Sequence, residues 1–239
     1  MKIALIGHGK MGKAIEESAL QKHHEIVLRI SSQNADDLTI ENLQHADVAI
    51  EFTNAQTAAA NLKKCFDAGV PVVCGTTGWL NDLKQTENYC NEKKGTFLYA
   101  SNFSIGVNLF FELNKFLAKL MSQQKEYDVM IEEIHHTQKK DAPSGTAITL
   151  AEQVLKYISL KKQWVNNESM RKEDLAIISK RIDPAAGTHK IKYSSAIDDI
   201  EIVHTAHNRR GFAEGAILAA EFIQGKQGIY TMQQVLGIA

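Results

Sequence analysis

KIALIGHGKMG, residues 2–12 of this 239-residue chain, decides the fold. The apolar run Lys2–Ile6 predicts a buried strand, and the glycines after it have the spacing G-x-G-x-x-G before a helix expected over residues 10–22. In such a loop the first glycine allows a tight turn, the second lets the backbone approach a pyrophosphate, and the third allows close packing of helix on strand. The N-terminus of that helix would offer N–H groups to phosphates. The position between strand and helix favours nucleotide binding over a simple tight turn.

Strands and helices alternate through the first hundred residues, which is typical of βαβ units and of a mostly parallel, doubly wound sheet. The expected strands are residues 2–6, 25–30, 47–52, 70–74 and 96–100, and the expected helices are residues 10–22, 55–68 and 80–93.

A different pattern begins after about residue 104. Helices are expected over residues 107–121 and 146–157, a strand over 127–134, further β-rich stretches over 175–182, 190–195 and 200–207, and a last helix over 212–224. Successive strands with little helix between them favour an open, mixed or largely antiparallel sheet. We therefore predict an α/β fold: a Rossmann-like parallel sheet in residues 1–103, an inserted α+β domain in 104–210, and a C-terminal segment, 211–239, that returns to the first domain.

Composition excludes several classes of protein. Lysine and arginine number 27 and aspartate and glutamate 28, so a net charge of −1 lacks the basic footprint of a nucleic-acid-binding or membrane-surface protein. No apolar run approaches the roughly 18 residues of a transmembrane helix. The three cysteines, Cys65, Cys74 and Cys90, contain no CxxC pair and fit free thiols in a reducing compartment. We expect a cytoplasmic protein with neither nucleic-acid nor membrane partners.

The end of the second strand bears on the choice of nucleotide. NAD-preferring folds usually place an acidic residue there to hold the ribose 2′-hydroxyl, but this strand ends in Ser31-Ser32. Without a carboxylate to repel it, a 2′-phosphate could be accepted, with Ser31, Ser32 or Arg29 as donors. Equally, the two serines could do no more than begin a turn.

Two further loops follow strands of the parallel sheet, whose carboxyl ends form the ligand crevice in doubly wound folds. GTTG at residues 75–78 could pack against a nicotinamide ribose or form an ordinary β-turn. ASNF at residues 100–103 carries an asparagine that can bond a carboxamide or a backbone group. Both loops are candidate cofactor contacts.

The most informative stretch is EEIHHTQKKDAPSGTA, residues 132–147, which leaves a strand, forms a polar loop and enters a helix. His135 and His136 titrate near neutral pH, and Lys139 and Lys140 add positive charge. The SGT at the helix entry offers N–H and hydroxyl donors to an anion. This set suits a carboxylate-bearing substrate that undergoes proton and hydride transfer. Taken alone, a polar loop of this kind is more often a solvated turn.

The histidines could instead indicate a metal site. His204 and His207 are spaced His-x-x-His, but no cysteine lies near them in sequence, and positions i and i+3 of a strand face opposite sides. We therefore predict no metal. Four basic residues are expected to assist an acidic substrate or to form structural ion pairs: Arg181, His189, Arg209 and Arg210.

Together these segments resemble the dihydrodipicolinate reductase (4-hydroxy-tetrahydrodipicolinate reductase) family. The resemblance rests on IGHGKMG at residues 6–12, GTTG at 75–78, ASNFSIGVN at 100–108 and, most specifically, EIHHTQKKDAPSGTA at 133–147. It continues through GTH at 187–189, His204, Arg209, FAEGAILAA at 212–220 and GIYTMQQVL at 228–236, and so covers nearly the whole chain.

The resemblance implies a Rossmann-like NAD(P)H domain and a substrate-binding α+β domain whose sheet builds a homotetramer. It also implies that NADPH or NADH reduces a cyclic imine-type dicarboxylate, 4-hydroxy-tetrahydrodipicolinate, to tetrahydrodipicolinate with loss of water. This reaction belongs to the diaminopimelate and lysine pathway.

Site residues carry over by position. His135 falls on the family's acid/base histidine and Lys139 on its proton-donating lysine, while His136, Gly145 and Thr146 fall on its substrate-binding positions. The positions of its cofactor contacts are Gly7, His8, Gly9, Lys10, Met11, Gly12, Ser31, Gly75, Thr76, Thr77, Ala100, Ser101, Asn102 and Phe103. At Ser31 many members carry Asp or Glu, and this departure leaves the choice between NADPH and NADH open.

Two other functions stay open on the residues alone. Another two-domain NAD(P)-dependent amino-acid or imine dehydrogenase would share the fold without requiring two carboxylates in its substrate. A nucleotide-sensing protein would bind NADPH without turnover, although a sensor needs no proton donors.

Overall fold

The computed structural model describes residues 1–208 and 210–238. The chain divides into two compact units, one formed by Met1–Ile105 with residues 210–238 and the other by Gly106–Asn208. The roles expected for segments 1–103, 104–210 and 211–239 stay predictions, because compactness alone assigns no function to a unit. Among the helices described, none has the length and apolar character needed to cross a membrane.

The first unit is built on a six-stranded sheet in which every pairing is parallel. Its strands are β1 Lys2–Ile6, β2 Glu25–Ile30, β3 Val48–Glu51, β4 Val72–Cys74, β5 Thr96–Tyr99 and β11 Gly228–Tyr230, and its helices are α1 Lys10–Gln21, α2 Ile40–Leu43, α3 Ala58–Asp67, α4 Leu83–Glu92, α7 Arg210–Ile223 and α8 Met232–Val235. The strand order is β11-β5-β4-β3-β1-β2. The strand order reverses at β1, as in the doubly wound fold that the alternating sequence pattern predicts.

The inner strands of this sheet are largely apolar because helices cover both faces. Successive residues of a strand point to opposite faces. Ile3 and Leu5 therefore join the apolar cluster that contains α1 and α7, while Ala4 and Ile6 join the cluster that contains α3. A strand buried on both sides needs an unbroken apolar run, which is why KIALI is recognisable from sequence.

Three short elements of this unit escape the sequence pattern. β11 has three residues and pairs with β5, which lies far earlier in the chain. α8 has one turn and depends on a capping box, in which the Thr231 hydroxyl accepts from the Gln234 amide and the Gln234 side chain accepts from the Thr231 amide. α2 is equally short. None of the three is long enough to show a periodic pattern of apolar residues in the sequence.

The second unit contains a five-stranded sheet of order β10-β9-β6-β8-β7. Its strands are β6 Asp128–His135, β7 Gln163–Val165, β8 Asp174–Arg181, β9 Gly187–Ser194 and β10 Asp199–Ala206, and its helices are α5 Ile105–Met121 and α6 Gly145–Tyr157. The sheet is mixed: β10, β9 and β6 are antiparallel, whereas β6, β8 and β7 are parallel. The chain returns through α6 after β6, so β7 and β8 run in the direction of β6.

One face of β6 positions two buried polar residues, Glu133 and His135. Val129, Ile131, Glu133 and His135 alternate along the strand and are all buried. The first two belong to an apolar core with residues of α5 and α6. The last two continue the same face, and they therefore place a carboxylate and an imidazole where the pattern of the strand would otherwise put apolar side chains.

Candidate active site

Four loops begin side by side at the carboxyl edge of the parallel sheet. Hydrogen bonds continue the ladder one residue beyond the strands, from the amides of Gly7 to the Ile30 carbonyl (2.9 Å), Phe52 to Ile6 (2.7 Å), Gly75 to Glu51 (2.9 Å) and Ala100 to Cys74 (3.2 Å). Three of these loops contain the predicted cofactor residues 7–12, 75–77 and 100–103. The fourth, which begins at Phe52, was missed by sequence reasoning.

The three glycines of the first loop differ in whether packing requires a residue without a side chain. A Cβ on Gly7, whose φ is +101°, would lie 2.0 Å from the Phe52 carbonyl oxygen, and a Cβ on Gly12 would lie 2.1 Å from the Gly7 carbonyl oxygen. Packing therefore requires both. At Gly9 no atom of the described residues lies within 4 Å of such a Cβ, and no side chain caps α1 there. Packing within the described protein therefore does not require a glycine at position 9, and the assignment of this loop to a dinucleotide pyrophosphate stays a prediction.

Three polar side chains beside this loop pair with one another. The ring nitrogen Nε2 of His8 lies 2.6 Å from Glu16, and the Arg29 Nε–H donates to the same carboxylate at 2.7 Å. The hydrogen bond from Arg29, followed by that from His8, holds the pKa of Glu16 below its usual value despite partial burial. Lys10 is exposed, and Met11 is partly buried against the core. The Arg29 guanidinium is thus already paired within the protein.

Ser31 begins a turn. Its amide and its hydroxyl both donate to the Asn34 side-chain oxygen, at 2.8 and 2.9 Å, and its hydroxyl accepts from the Gln33 amide at 3.2 Å. This geometry favours the turn interpretation of the two serines. It also means that a nucleotide phosphate would compete with Asn34 for the hydroxyl of Ser31.

The GTTG loop is fixed by its surroundings. A Cβ on Gly75 would collide with the Phe52 ring at 2.1 Å, and the buried Thr76 hydroxyl accepts from the Thr53 amide at 2.7 Å. Thr77 is exposed. Packing therefore accounts for Gly75 and Thr76, and Thr77 is the member of this loop whose side chain is open to a ligand.

In the ASNF loop, Phe103 is buried with its ring centroid 5.7 Å from that of Phe52. Asn102 accepts a hydrogen bond from the Ser104 amide at 2.9 Å. Ala100 is partly buried and Ser101 is exposed. The role of Phe103 in the structure is apolar packing, which also holds the two loops together.

In the second unit, β6 ends at His135 and α6 begins at Gly145. Ser144 is the N-cap of α6, and its hydroxyl accepts from the Ala147 amide at 3.2 Å. Gly145 and Thr146 are the first two residues of the helix. They occupy the position at which a helix binds a carboxylate.

Glu133 lies at the centre of a buried polar cluster. Its Oε1 accepts from the Ser144 amide at 3.1 Å and from the Arg181 guanidinium at 3.0 Å. Its Oε2 lies 3.0 Å from His135 Nδ1, at ion-pair distance but outside hydrogen-bond alignment, and 3.9 Å from His189 Nε2. Burial raises the pKa of Glu133, but the nearby His135 and the hydrogen bonds from Ser144 and Arg181 outweigh it and hold that pKa well below its usual value.

His189 is neutral in this cluster. Burial, and then the neighbouring His135, lower the pKa of His189 to about 3. Its Nε2 lies 3.2 Å from the Ser144 hydroxyl. His189 therefore serves as an uncharged hydrogen-bonding partner to the residue that begins α6.

The loop itself is more open. His136 is partly exposed, and the Lys139 ammonium forms an ion pair with Asp141 at 2.8 Å. Burial raises the pKa of Asp141, but the bond from Lys139 lowers it below the usual range. The structure thus places His135 in the Glu133 cluster and Lys139 beside Asp141.

Residues 1–103 match the family described as Dihydrodipicolinate reductase, N-terminus, and residues 106–236 match Dihydrodipicolinate reductase, C-terminus. The chain belongs to the dihydrodipicolinate reductase family. The predictions of this family, of an oxidoreductase and of a nucleotide-binding Rossmann domain are confirmed.

Individual relatives agree with this family. A 4-hydroxy-tetrahydrodipicolinate reductase of Christiangramia forsetii is 48% identical over 238 residues, which cover 99% of this chain and 98% of the relative. A protein of the same name from Methanococcoides burtonii is 38% identical over 210 residues, 86% of this chain and 79% of its own. The solved dipicolinate-bound dihydrodipicolinate reductase from Paenisporosarcina sp. TG-14 is similar in fold, with a TM-score of 0.80 over 98% of both chains at 23% identity.

Sequence reasoning about this reductase named Arg181 and His189 as basic residues for an acidic substrate or for ion pairs, and Arg181 does form an ion pair, but it did not place them with Glu133 and His135. Glu133 carried a detectable signal, because a carboxylate two residues before His135 must share its buried strand face. The place of Arg181 and His189 in the cluster had no local signal, because strand register brings them there: Arg181 lies opposite His135, and His189 lies opposite Glu133. Arg209 lies outside the described residues.

The same cluster bears on the prediction that no metal is bound. Among the described residues, Glu133, His135 and His189 bring ligand atoms within 4.8 Å of one another. The Arg181 guanidinium lies 3.0 Å from that carboxylate, however, and its charge would oppose a divalent cation there. His204 and His207 do not belong to this group. The absence of a metal stays a prediction.

Proposed function

We propose that this reductase converts 4-hydroxy-tetrahydrodipicolinate to tetrahydrodipicolinate in diaminopimelate and lysine biosynthesis. The reaction consumes one NAD(P)H and one proton and releases NAD(P)+ and water. The observation that carries the proposal is the segment from β6 to α6 in a chain of this family. It combines a buried imidazole held by a carboxylate, a lysine, and a helix start that can bind an anion.

Within that segment the roles divide by chemistry. The amides of Gly145 and Thr146 bind a substrate carboxylate at the start of α6, and His136 stands beside it on the loop. His135 and Lys139 supply and balance the proton that accompanies reduction, and we assign this step to the two residues together.

When bound, the nicotinamide supplies the hydride. We assign its nucleotide to Gly7, His8, Gly9, Lys10, Met11 and Gly12, to Gly75, Thr76 and Thr77, and to the loop Ala100, Ser101, Asn102 and Phe103. The fit of the first loop is supported by Gly9, which no contact within the described protein explains. Ser31 occupies the place where a carboxylate would repel a 2′-phosphate, so we expect both NADPH and NADH to be accepted.

We further propose a homotetramer in the cytoplasm. Apolar side chains are left exposed on and beside the edge strand β10, where Val203 is 53% and Ile197 is 90% exposed, and partner subunits would cover them. All three cysteines are buried free thiols, which suits a reducing compartment.

A coupled assay tests the reaction. Dihydrodipicolinate synthase generates the unstable substrate in place, and the loss of nicotinamide absorbance is followed with NADPH and NADH in parallel. Oxidation that depends on the synthase supports the proposal, and the ratio of rates gives the preference. Tight nucleotide binding without oxidation would contradict it and would favour a different dehydrogenase or a sensor.

A further inference from the structure

Glu133 has two carboxylate oxygens that serve different parts of the cluster. It is fully buried, and it stands between β8 and β9 in the middle of the sheet. Oε2 faces His135, whereas Oε1 faces Ser144 and Arg181. One side chain therefore touches both the proton-transfer residue and the residue that begins the substrate-binding helix.

We propose that Glu133 is a positioning residue of this reductase: Oε2 holds His135 with its Nδ1 proton turned inward, and Oε1 fixes the start of α6. The inference rests on the proposed function of His135 and of the α6 amides. It goes beyond that function in naming the group that orients both.

The tautomer follows from the carboxylate. An ionised carboxylate can only accept hydrogen bonds, so the ring atom that faces it must carry a proton. Nδ1 of His135 lies 3.0 Å from Oε2, at ion-pair distance but outside hydrogen-bond alignment, and neither atom has a hydrogen-bond partner among the described residues. The ring retains 11% of its side-chain exposure although Nδ1 is buried. Nε2 is then the atom left to exchange a proton with substrate.

Gly187 supports this assignment of Nε2. A Cβ on Gly187 would lie 3.1 Å from His135 Nε2. The glycine therefore leaves this side of the ring clear of any side chain from β9. A larger residue at this position would press on the atom that the proposal assigns to proton exchange.

The Oε1 side explains why Glu133 stays in place. The Arg181 guanidinium and the Ser144 amide both donate to this oxygen, and Ser144 also caps α6 through its hydroxyl. The carboxylate thus has a charged anchor on β8 and a backbone anchor at the helix start. The charged and titratable groups around His135 are Glu133 on its own strand, Arg181 opposite it on β8 and His189 on β9, while His204 and Lys139 act on His189.

Glu133→Gln separates orientation from packing. Glutamine keeps one oxygen for Ser144 and Arg181 but turns an NH2 donor toward Nδ1, which forces the His135 proton onto Nε2. We expect kcat to fall by about 10²-fold or more while KM for the dicarboxylate changes by less than about threefold. Glu133→Ala removes both oxygens, so kcat should fall and KM should rise.

The descending limb of the pH–rate profile of Glu133→Gln should move to lower pH, because the negative charge that favours a protonated partner is gone.

Glu132→Gln is the matched control. Glu132 is the preceding residue on β6, points to the other face and pairs with Lys180. It should retain wild-type kcat and pH profile. Equal losses of kcat in the two variants, or a Glu133→Gln enzyme with wild-type kcat, would overturn the proposal.

A measurement on the unmodified chain keeps the test decisive if Glu133→Gln does not fold. Nitrogen NMR of histidine-labelled full-length protein reports the tautomer of each ring, and His135→Gln identifies the His135 signals by their loss. We expect the Nδ1–H form in the wild type, and finding the Nε2–H form would refute the assignment. Since this readout needs no turnover, it stands apart from failure of the coupled assay.

Discussion

The glycine loop of the first unit and the Glu133 cluster of the second treat their polar groups in opposite ways. Beside the glycine loop, His8, Glu16 and Arg29 satisfy one another near the surface. In the cluster, Glu133 Oε2 and His135 Nδ1 are buried and lack aligned hydrogen bonds. Holding a phosphate requires open backbone amides and space, whereas moving a proton requires buried side chains whose charges are incompletely matched.

Lys139→Ala tests the chemical side of this contrast with the largest expected effect. Removing the ammonium that pairs with Asp141 should lower kcat by about 10²-fold or more, the usual size of an acid–base contribution. The coupled assay measures it, and Lys140→Ala, at the exposed neighbour, is the control. Near-native turnover in Lys139→Ala would remove this residue from the mechanism.

The pH dependence of the free energy of unfolding tests whether His189 in the Glu133 cluster is kept neutral by burial. The pKa of His189 is lowered from 6.5 to about 3, so between these values the unfolded chain binds a proton that the folded chain does not. The free energy of unfolding should therefore fall as the pH is lowered, by up to about 1.4 kcal/mol per pH unit, or about 1.6 kcal/mol from pH 6.5 to 5.

His189→Gln should flatten that slope in urea denaturation series at several pH values. His45→Gln, at an exposed histidine of the first unit, should leave the slope unchanged. If the slopes of wild type and His189→Gln coincide, His189 is not held neutral by the fold.

Substitutions of Gly9 and Gly12 test whether the glycine loop binds a nucleotide, and we expect smaller effects than those above. Gly9→Ala meets open space and an ordinary φ of −83°, so its melting temperature should stay near that of the wild type while the nucleotide Kd rises by about tenfold. Gly12→Ala would press on the Gly7 carbonyl at 2.1 Å and should lower the melting temperature. Unchanged nucleotide affinity in a stable Gly9→Ala variant would show that the loop is only a turn.

Features of the fold and the site could be predicted from the sequence where neighbouring residues determine them, and not where the pairing of distant strands does. β1 and β2 were predicted with their observed limits, β1 from its apolar run and β2 from its β-forming residues. The loop 132–147 was found because its donors, cations and imidazoles are contiguous. Arg181 and His189 reach the cluster only through the register of β8 and β9 against β6, and a register between distant strands leaves no local mark. The same reason hid β11.

The late arrival of β11 and α7 has a consequence for how the chain folds during synthesis. The apolar cluster that contains Ile3 and Leu5 also contains Ile217 and Met232, so the first unit has all of its core only after the last segment has been translated. Residues 106–208 are contiguous and complete their own unit earlier. During synthesis, residues 106–208 can therefore fold before the first unit, whose core is complete only when its last strand, β11, has been translated.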